Sequence, residues 1–281
     1  MRALKIVTDS AADLPDYVIK DLGISVVPLV VIAGDKAYNE NDLSRDEFWD
    51  LFRRSGGLKT SQPSVGMFHR VFEELVQRGN DVLCFCLTSR HSGTLSSAVT
   101  AARSFAGHVR AVDSLSLSLG MGWQVMTAGR MAAAGVAVEE ILSAVGSIRG
   151  RTHISFQLRT VEHLRQGGRA ARLMPAVDRI AKALNLSAIL TLSDGELKLS
   201  SIARSYKRGL ARIRDDILRA APLEALAVVH TRIPDVAEGL AQEIADRAHL
   251  AKEAVLVTSL GAAMACHGGE GMLGALGVRA K

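Results

Sequence analysis

Residues Asp81–Ala98 read DVLCFCLTSRHSGTLSSA, and they decide the fold class. Val82–Leu87 is a short apolar run bounded by polar residues, the pattern of a buried strand. Thr88, Ser89, His91, Ser92, Gly93 and Thr94 follow, without an aliphatic side chain among them. From Leu95 to Phe105 the apolar spacing turns helical. A strand that passes through a hydroxyl-rich turn into a helix gathers side-chain donors and free backbone N–H groups at one point. The helix dipole favours negative charge there, and open α/β sheets bind ligands at such strand ends. The stretch therefore predicts an anion pocket in an α/β protein. It leaves open which anion is taken, and whether Ser92 attacks it or only donates a hydrogen bond.

The same alternation extends outward. Ala3–Val7 is an apolar strand ending in Thr8-Asp9-Ser10, a site or a cap for the next turn. Ile24–Ile32 is a further apolar run. Ser44 with Glu47 three residues later forms a capping box that opens a helix through Phe52, with Phe48 and Leu51 or Phe52 as its apolar stripe. Pro63 holds Gln62 extended, and Ser64 caps a helix from Val65 to Arg78. Thr60 and Ser61 have no such local role and are free to line a pocket. Val109–Val112 is another strand, and helices Trp123–Ala134 and Val138–Ile148 follow a polar turn. Residues 1–150 thus predict a mostly parallel sheet flanked by helices.

Past Gly150 the pattern changes. Ile154–Leu158 reads as a strand, Val161–Arg165 as a short helix ending at Gly167-Gly168, and Leu173–Leu184 as a helix with Pro175 in its first turn. Asp194-Gly195 between Ala188–Leu192 and Leu197–Ile202 signals an antiparallel hairpin. Helix Ser205–Ala220, strand Leu226–His230, helix Asp235–Ala248 and strand Val255–Ser259 follow, and Gly261–Lys281 reads as a tail. Residues 151–281 are therefore expected to form a second α/β domain on a mixed sheet, with a ligand at the interface of the two.

Composition narrows the function. The 281 residues are 48% apolar and 22% charged, with a net charge of +5, an ordinary globular balance. Arg204, Lys207, Arg208, Arg212 and Arg214 crowd one region, either as a solvated face or as a docking surface for an acidic partner or a transient membrane contact. Tyr206 is the lone aromatic near them and no nucleic-acid-binding motif is present, so no nucleic acid is expected. Cys84, Cys86 and Cys266 are too few for a disulfide framework. The chain opens on a strand pattern and holds no long uncharged apolar window, so a cytoplasmic protein is expected.

The chain has no P-loop and no nucleophile elbow. Gly269-Glu270-Gly271-Met272-Leu273-Gly274 matches dinucleotide spacing, but only seven residues follow it, too few for the helix that the motif requires. The histidines show no zinc spacing. Neither a metal nor a cofactor is expected. Ser92 with His267, oriented by Asp113, keeps open a stand-alone serine-dependent ester or phosphoester hydrolase. Arg169 is either a surface residue or a cation that reaches the cleft, where its guanidinium suits a carboxylate or phosphate.

Thr8-Asp9-Ser10, Thr60-Ser61-Gln62-Pro63-Ser64, Ser92-Gly93-Thr94, Asp113-Ser114 with Gly120-Met121-Gly122, Leu164-Arg165-Gln166-Gly167-Gly168-Arg169, Asp194-Gly195, Arg204 and His267-Gly268 occur in the order found in the DegV family. From residue 3 to about 277 the chain resembles that family. The resemblance implies a two-domain fatty-acid-binding protein without catalysis of its own. It places a long-chain fatty acid in an aliphatic tunnel with its carboxylate at the domain interface. A separate ATP-dependent kinase subunit then converts the carboxylate to an acyl phosphate. At matching positions it implies Thr60, Ser92, His267 and Arg169 around the carboxylate, with Ser61, Gly93, Thr94 and Ser116 as further neighbours.

That arrangement suits the chemistry. A carboxylate removed from water needs several donors, and burying an acyl chain contributes about 0.8 kcal/mol per methylene. Three departures stand out. Glu270 replaces the usual Pro, Ser187-Ala188 the usual Lys-Pro, and Arg90-His91 precede Ser92 where small residues are common. With the resemblance added, Ser92 reads as a hydrogen-bond donor rather than a nucleophile.

Overall fold

A layer of two helices, residues 118–133 and 138–151, lies between two sheets. In the computed structural model, which describes residues 2–55, 57–160, 162–163 and 186–281, β1 (Ala3–Asp9) and β2 (Ser25–Val27) open the first sheet. β3 (Val30–Ala33), β4 (Lys36–Asn39) and β5 (Lys59–Ser61) form a small antiparallel sheet in the order β4-β3-β5. β6 (Asn80–Cys86) and β7 (Val109–Asp113) complete the first sheet, which is parallel with order β2-β1-β6-β7. The run Ile24–Ile32 is therefore two strands in two sheets. Pro28, which has no N–H to give to a ladder, stands between them.

The helices follow their local signals. α1 (Asp16–Asp21) is short. α2 (Arg45–Arg54) has the expected capping box, with the Ser44 side chain accepting the Glu47 N–H. It buries Phe48 and Trp49 rather than Leu51 and Phe52, because the small sheet lies against that side. α3 (Val65–Gln77) starts at Ser64, whose side chain accepts the Met67 N–H. α4 (Thr94–Ala102) follows the hydroxyl-rich turn. α5 (Ser118–Ala133) begins five residues before Trp123, so Gly120 and Gly122 are helical rather than part of a turn. α6 (Val138–Arg151) runs directly into the second sheet.

That sheet is mixed. β8 (Thr152–Leu158), β9 (Ser187–Ser193), β10 (Glu196–Ala203), β11 (Leu223–His230), β12 (Val255–Ser259) and β13 (Leu273–Arg279) lie in the order β10-β9-β8-β13-β11-β12. β9 and β10 form the expected hairpin, with φ of 50° at Asp194 and 79° at Gly195, as an Asp-Gly turn requires. α7 (Tyr206–Leu218) and α8 (Pro234–Ala248) cover its outer face. The expected tail is instead α9 (Ala262–Gly268) followed by β13, which lies between β8 and β11. The readings at Val161, Leu164–Arg169 and Leu173–Leu184 fall outside the described residues.

α5 is buried on both sides, and this is what joins the two sheets. Leu119, Trp123 and Met126 pack on Ile154, Phe156 and Leu276 of the mixed sheet. Met121, Val125 and Ala128 pack on Ile6, Leu83 and Phe85 of the parallel sheet. A full burial of one such side chain contributes about 1.5–3 kcal/mol, so the sheets are held at fixed separation by this shared helix. Gly122 lets α5 come close to the end of β1: a Cβ there would lie 2.9 Å from the Ala12 carbonyl oxygen. Cys84 and Cys86 share the opposite face of β6 and are fully buried under α3 and α4. No helix among the described residues is long and apolar enough to cross a membrane.

Candidate functional site

The parallel sheet reverses its order between β1 and β6, and ligands favour such a crevice. Here Asp9 fills it. Its carboxylate accepts the Ala11 N–H at 3.0 Å and the Leu87 N–H at 2.7 Å, tying the two strand ends together. Burial pushes the Asp9 carboxyl up to about 7, against the pull of those two donors. The hydroxyl-rich turn after β6 lies beside this tie.

That turn is fixed by its own polar groups. Thr88 N–H donates to the Ser116 carbonyl at 2.9 Å, and Thr88 Oγ1 donates to the Gly195 carbonyl of the hairpin at 2.8 Å. Ser92 Oγ lies 2.8 Å from Thr94 Oγ1 and accepts the Thr94 N–H at 3.2 Å. Asp113 accepts the N–H groups of Ser89 and Leu115. Its carboxylate thus braces the turn, where the hydrolase reading used it to orient His267.

Thr60 reaches the same place from β5, where it pairs with Val31. Its Oγ1 lies 2.8 Å from Nε2 of His267, in the last turn of α9. Thr60, Ser61, Ser92, His267 and His91 therefore meet at one cavity, and Leu29, Leu87, Leu117, Leu197 and Met264 supply its apolar wall. The cavity holds about 80 Å³, against roughly 300 Å³ for a small drug-sized site. It has room for a carboxylate and its first methylenes. A longer chain has to part the leucine wall.

The other expected residues sit around this cavity. Thr94 is fully buried beside Ser92, and Gly93 is the N-cap of α4. Ser116 is buried, with its backbone engaged by Thr88 and Ser114, while its neighbour Leu117 lines the wall. Arg169 lies outside the described residues. Glu270 is exposed and pairs with Arg232 at 3.3 Å. Ser187 opens β9 and is buried.

Sequence reasoning missed the device that seats His267. Glu40 Oε2 accepts the Ser10 hydroxyl at 2.5 Å, and Glu40 Oε1 accepts the Ala263 N–H at 2.9 Å. Asp13 Oδ1 accepts the Gly261 N–H at 2.8 Å. Two carboxylates from the start of the chain thus grip the first turn of the helix that carries His267. Burial raises both, Asp13 to about 7. No local pattern signals this, because the α9 N–H groups that the two carboxylates hold lie more than two hundred residues away.

Asp13 and Glu40 also line a wider opening of about 800 Å³, together with Arg45, Trp49 and Ser259. Asp9, Asp13 and Glu40 on its wall each already accept a backbone N–H. Among the described residues no group of His, Cys, Asp and Glu is placed to hold a metal ion.

Comparison with known proteins agrees with the fold. A family profile described as "Uncharacterised protein, DegV family" matches residues 3–279. A DegV domain-containing protein of Streptococcus pyogenes serotype M6 is 32% identical over 276 residues, 96% of this chain and 97% of that protein. A Thermus thermophilus structure described as "Fatty Acid Binding of a DegV family Protein" superposes with a TM-score of 0.88 at 30% identity, over 99% of this chain and all of the other. A Bacillus subtilis DegV structure superposes at 0.86 over the whole of both chains, and at 24% identity that likeness concerns the fold.

Proposed function

The chain belongs to the DegV family, and on that premise we propose that it binds a long-chain fatty acid with the carboxylate at Thr60, Ser61, Ser92 and His267. The observation that carries the reading is the cavity itself: three hydroxyls and two imidazoles meet at one place in an otherwise aliphatic wall. A carboxylate there accepts several hydrogen bonds, which keeps it ionised away from water. The wall takes the apolar chain. Family resemblance adds Arg169 to the head group and Gly93, Thr94 and Ser116 to its surroundings. The description of the Thermus thermophilus protein as fatty-acid binding supports the ligand class.

In this reading the protein does no chemistry. It presents the carboxylate to a separate ATP-dependent kinase subunit in the cytoplasm, exchanging its ligand by transient contact with a membrane. The ligand lies between a unit of residues 1–150 and a unit of residues 151–281. The donor role of Ser92 is favoured over a nucleophilic one by its pairing with Thr94, while His267 Nε2 faces Thr60. Ser92→Ala tests this. One hydrogen bond to a charged group contributes about 1.5–3 kcal/mol, so oleate affinity should fall at least about tenfold with an unchanged melting temperature. Unchanged affinity overturns the assignment. Turnover of model esters that vanishes in Ser92→Ala supports the hydrolase instead.

A further inference from the structure

The wall of the cavity is not all from one sheet. Leu197 belongs to β10, at the far edge of the mixed sheet, yet it faces the same space as Ser92. Two contacts bring the hairpin there. Thr88 Oγ1 donates to the Gly195 carbonyl at 2.8 Å, and the Leu197 N–H donates to His91 Nε2 at 2.9 Å. Gly195 is required at this approach, since a Cβ would lie 2.4 Å from Thr88 Oγ1.

Because a backbone N–H can only donate, His91 Nε2 must be the unprotonated nitrogen, with the ring proton on Nδ1. The ring is thus fixed as an acceptor. We infer that His91 is a positioning residue: its Nε2 holds Leu197 across the cavity, so that the β9–β10 hairpin closes the acyl-chain path next to the head group. Leu197 is then the wall residue that limits chain passage. The inference rests on the fatty-acid reading for the identity of the ligand, and on geometry alone for the latch.

The small cavity is what this arrangement predicts. With about 80 Å³ available, an acyl chain enters only as a wall element moves. Leu117 and Leu87 are buried beside α5 and β6, whereas Leu197 is only partly buried, on the edge strand beside the Asp194-Gly195 turn, and that turn meets the Ser92 turn through the two hydrogen bonds above. The turn end of the hairpin is therefore the part of the wall at a sheet edge, and His91 sets how readily it moves.

The test separates the acceptor from bulk. His91→Leu keeps the size and removes the acceptor; His91→Gln returns an acceptor at a similar reach. In the ligand-free protein, amide hydrogen exchange at Leu197 should quicken about tenfold in His91→Leu, the worth of one hydrogen bond, and return to the parent rate in His91→Gln. Oleate should dissociate faster by a similar factor in His91→Leu, with His91→Gln again close to the parent. Equal exchange in the two variants overturns the latch. A parent protein that takes up no oleate, with Leu197 exchange still separating the variants, overturns the fatty-acid reading and leaves the latch standing.

Discussion

Gly261→Ala is expected to lower the stability of this protein by about 3 kcal/mol and to abolish tight ligand binding with it. The backbone at Gly261 is ordinary, with φ −65° and ψ 164°, so the effect is one of space. A Cβ there would lie 2.4 Å from Glu40 Oε1 and 3.2 Å from Asp13 Oδ1. Neither oxygen can retreat, since one holds the Ala263 N–H and the other the Gly261 N–H. The added methyl has to break one of these bonds or lift α9 away.

Overpacking contributes roughly 1–3 kcal/mol and a lost charged hydrogen bond a similar amount. In a chain this long 3 kcal/mol corresponds to about 6–12 °C in melting temperature. Lifting α9 also withdraws His267 from Thr60, so oleate affinity should fall in parallel. Gly239→Ala is the control. It lies within α8 with nothing within 4 Å of its added Cβ, and helix propensity predicts a small gain. Equal melting temperatures for Gly261→Ala and the parent contradict the account.

Asp13→Asn should act in the opposite sense, increasingly as pH rises from about 4 to 7. Burial raises the Asp13 carboxyl from 3.8 to about 7. A raised acid stabilises the fold fully below its unfolded value, and that contribution is lost as pH rises through the folded value. At pH 8 the fold therefore carries a desolvated charge. Relative to the unfolded chain this charge costs at most about 4 kcal/mol. Asparagine avoids this cost. Its carbonyl can still accept the Gly261 N–H, and its amide can donate to Ser118 Oγ, the hydroxyl that the Asp13 carboxylate also faces. Asp13 has φ 50°, a left-handed conformation that asparagine adopts readily.

The stability of Asp13→Asn relative to the parent is thus expected to rise by about 2–3 kcal/mol between pH 5 and pH 8, measured by urea unfolding. Comparing the two chains cancels the contributions of His153, His163 and His230, whose imidazoles burial holds below the usual histidine range. A difference that does not change with pH contradicts the assignment.

These two positions mark where the sequence stops being informative. Val82–Leu87, the Asp194-Gly195 turn and the Ser44–Glu47 box are local patterns, and local patterns predicted β6, the hairpin and the start of α2. Thr60 and Ser92 were legible because their hydroxyls had no local role. β13 was not: Leu273–Val278 reads LGALGV, and Gly and Ala carry little strand preference. Its place is set by Phe156, which fills the space over Gly274, and by Ile217, which fills the space over Gly277. Glu40 was illegible for another reason, as a surface-type residue whose partners are set only by the closed fold. His91 was visible as an unusual bulky residue before Ser92, but its acceptor role needed the hairpin in place.

The central claim concerns what occupies the cavity, and one measurement reaches it most directly. Protein purified from a bacterial host under native conditions is extracted for lipid and weighed by native mass spectrometry. The account predicts one long-chain fatty acid per chain, lost on extraction and regained when oleate is added. A protein that carries no fatty acid and takes up none when it is supplied contradicts it.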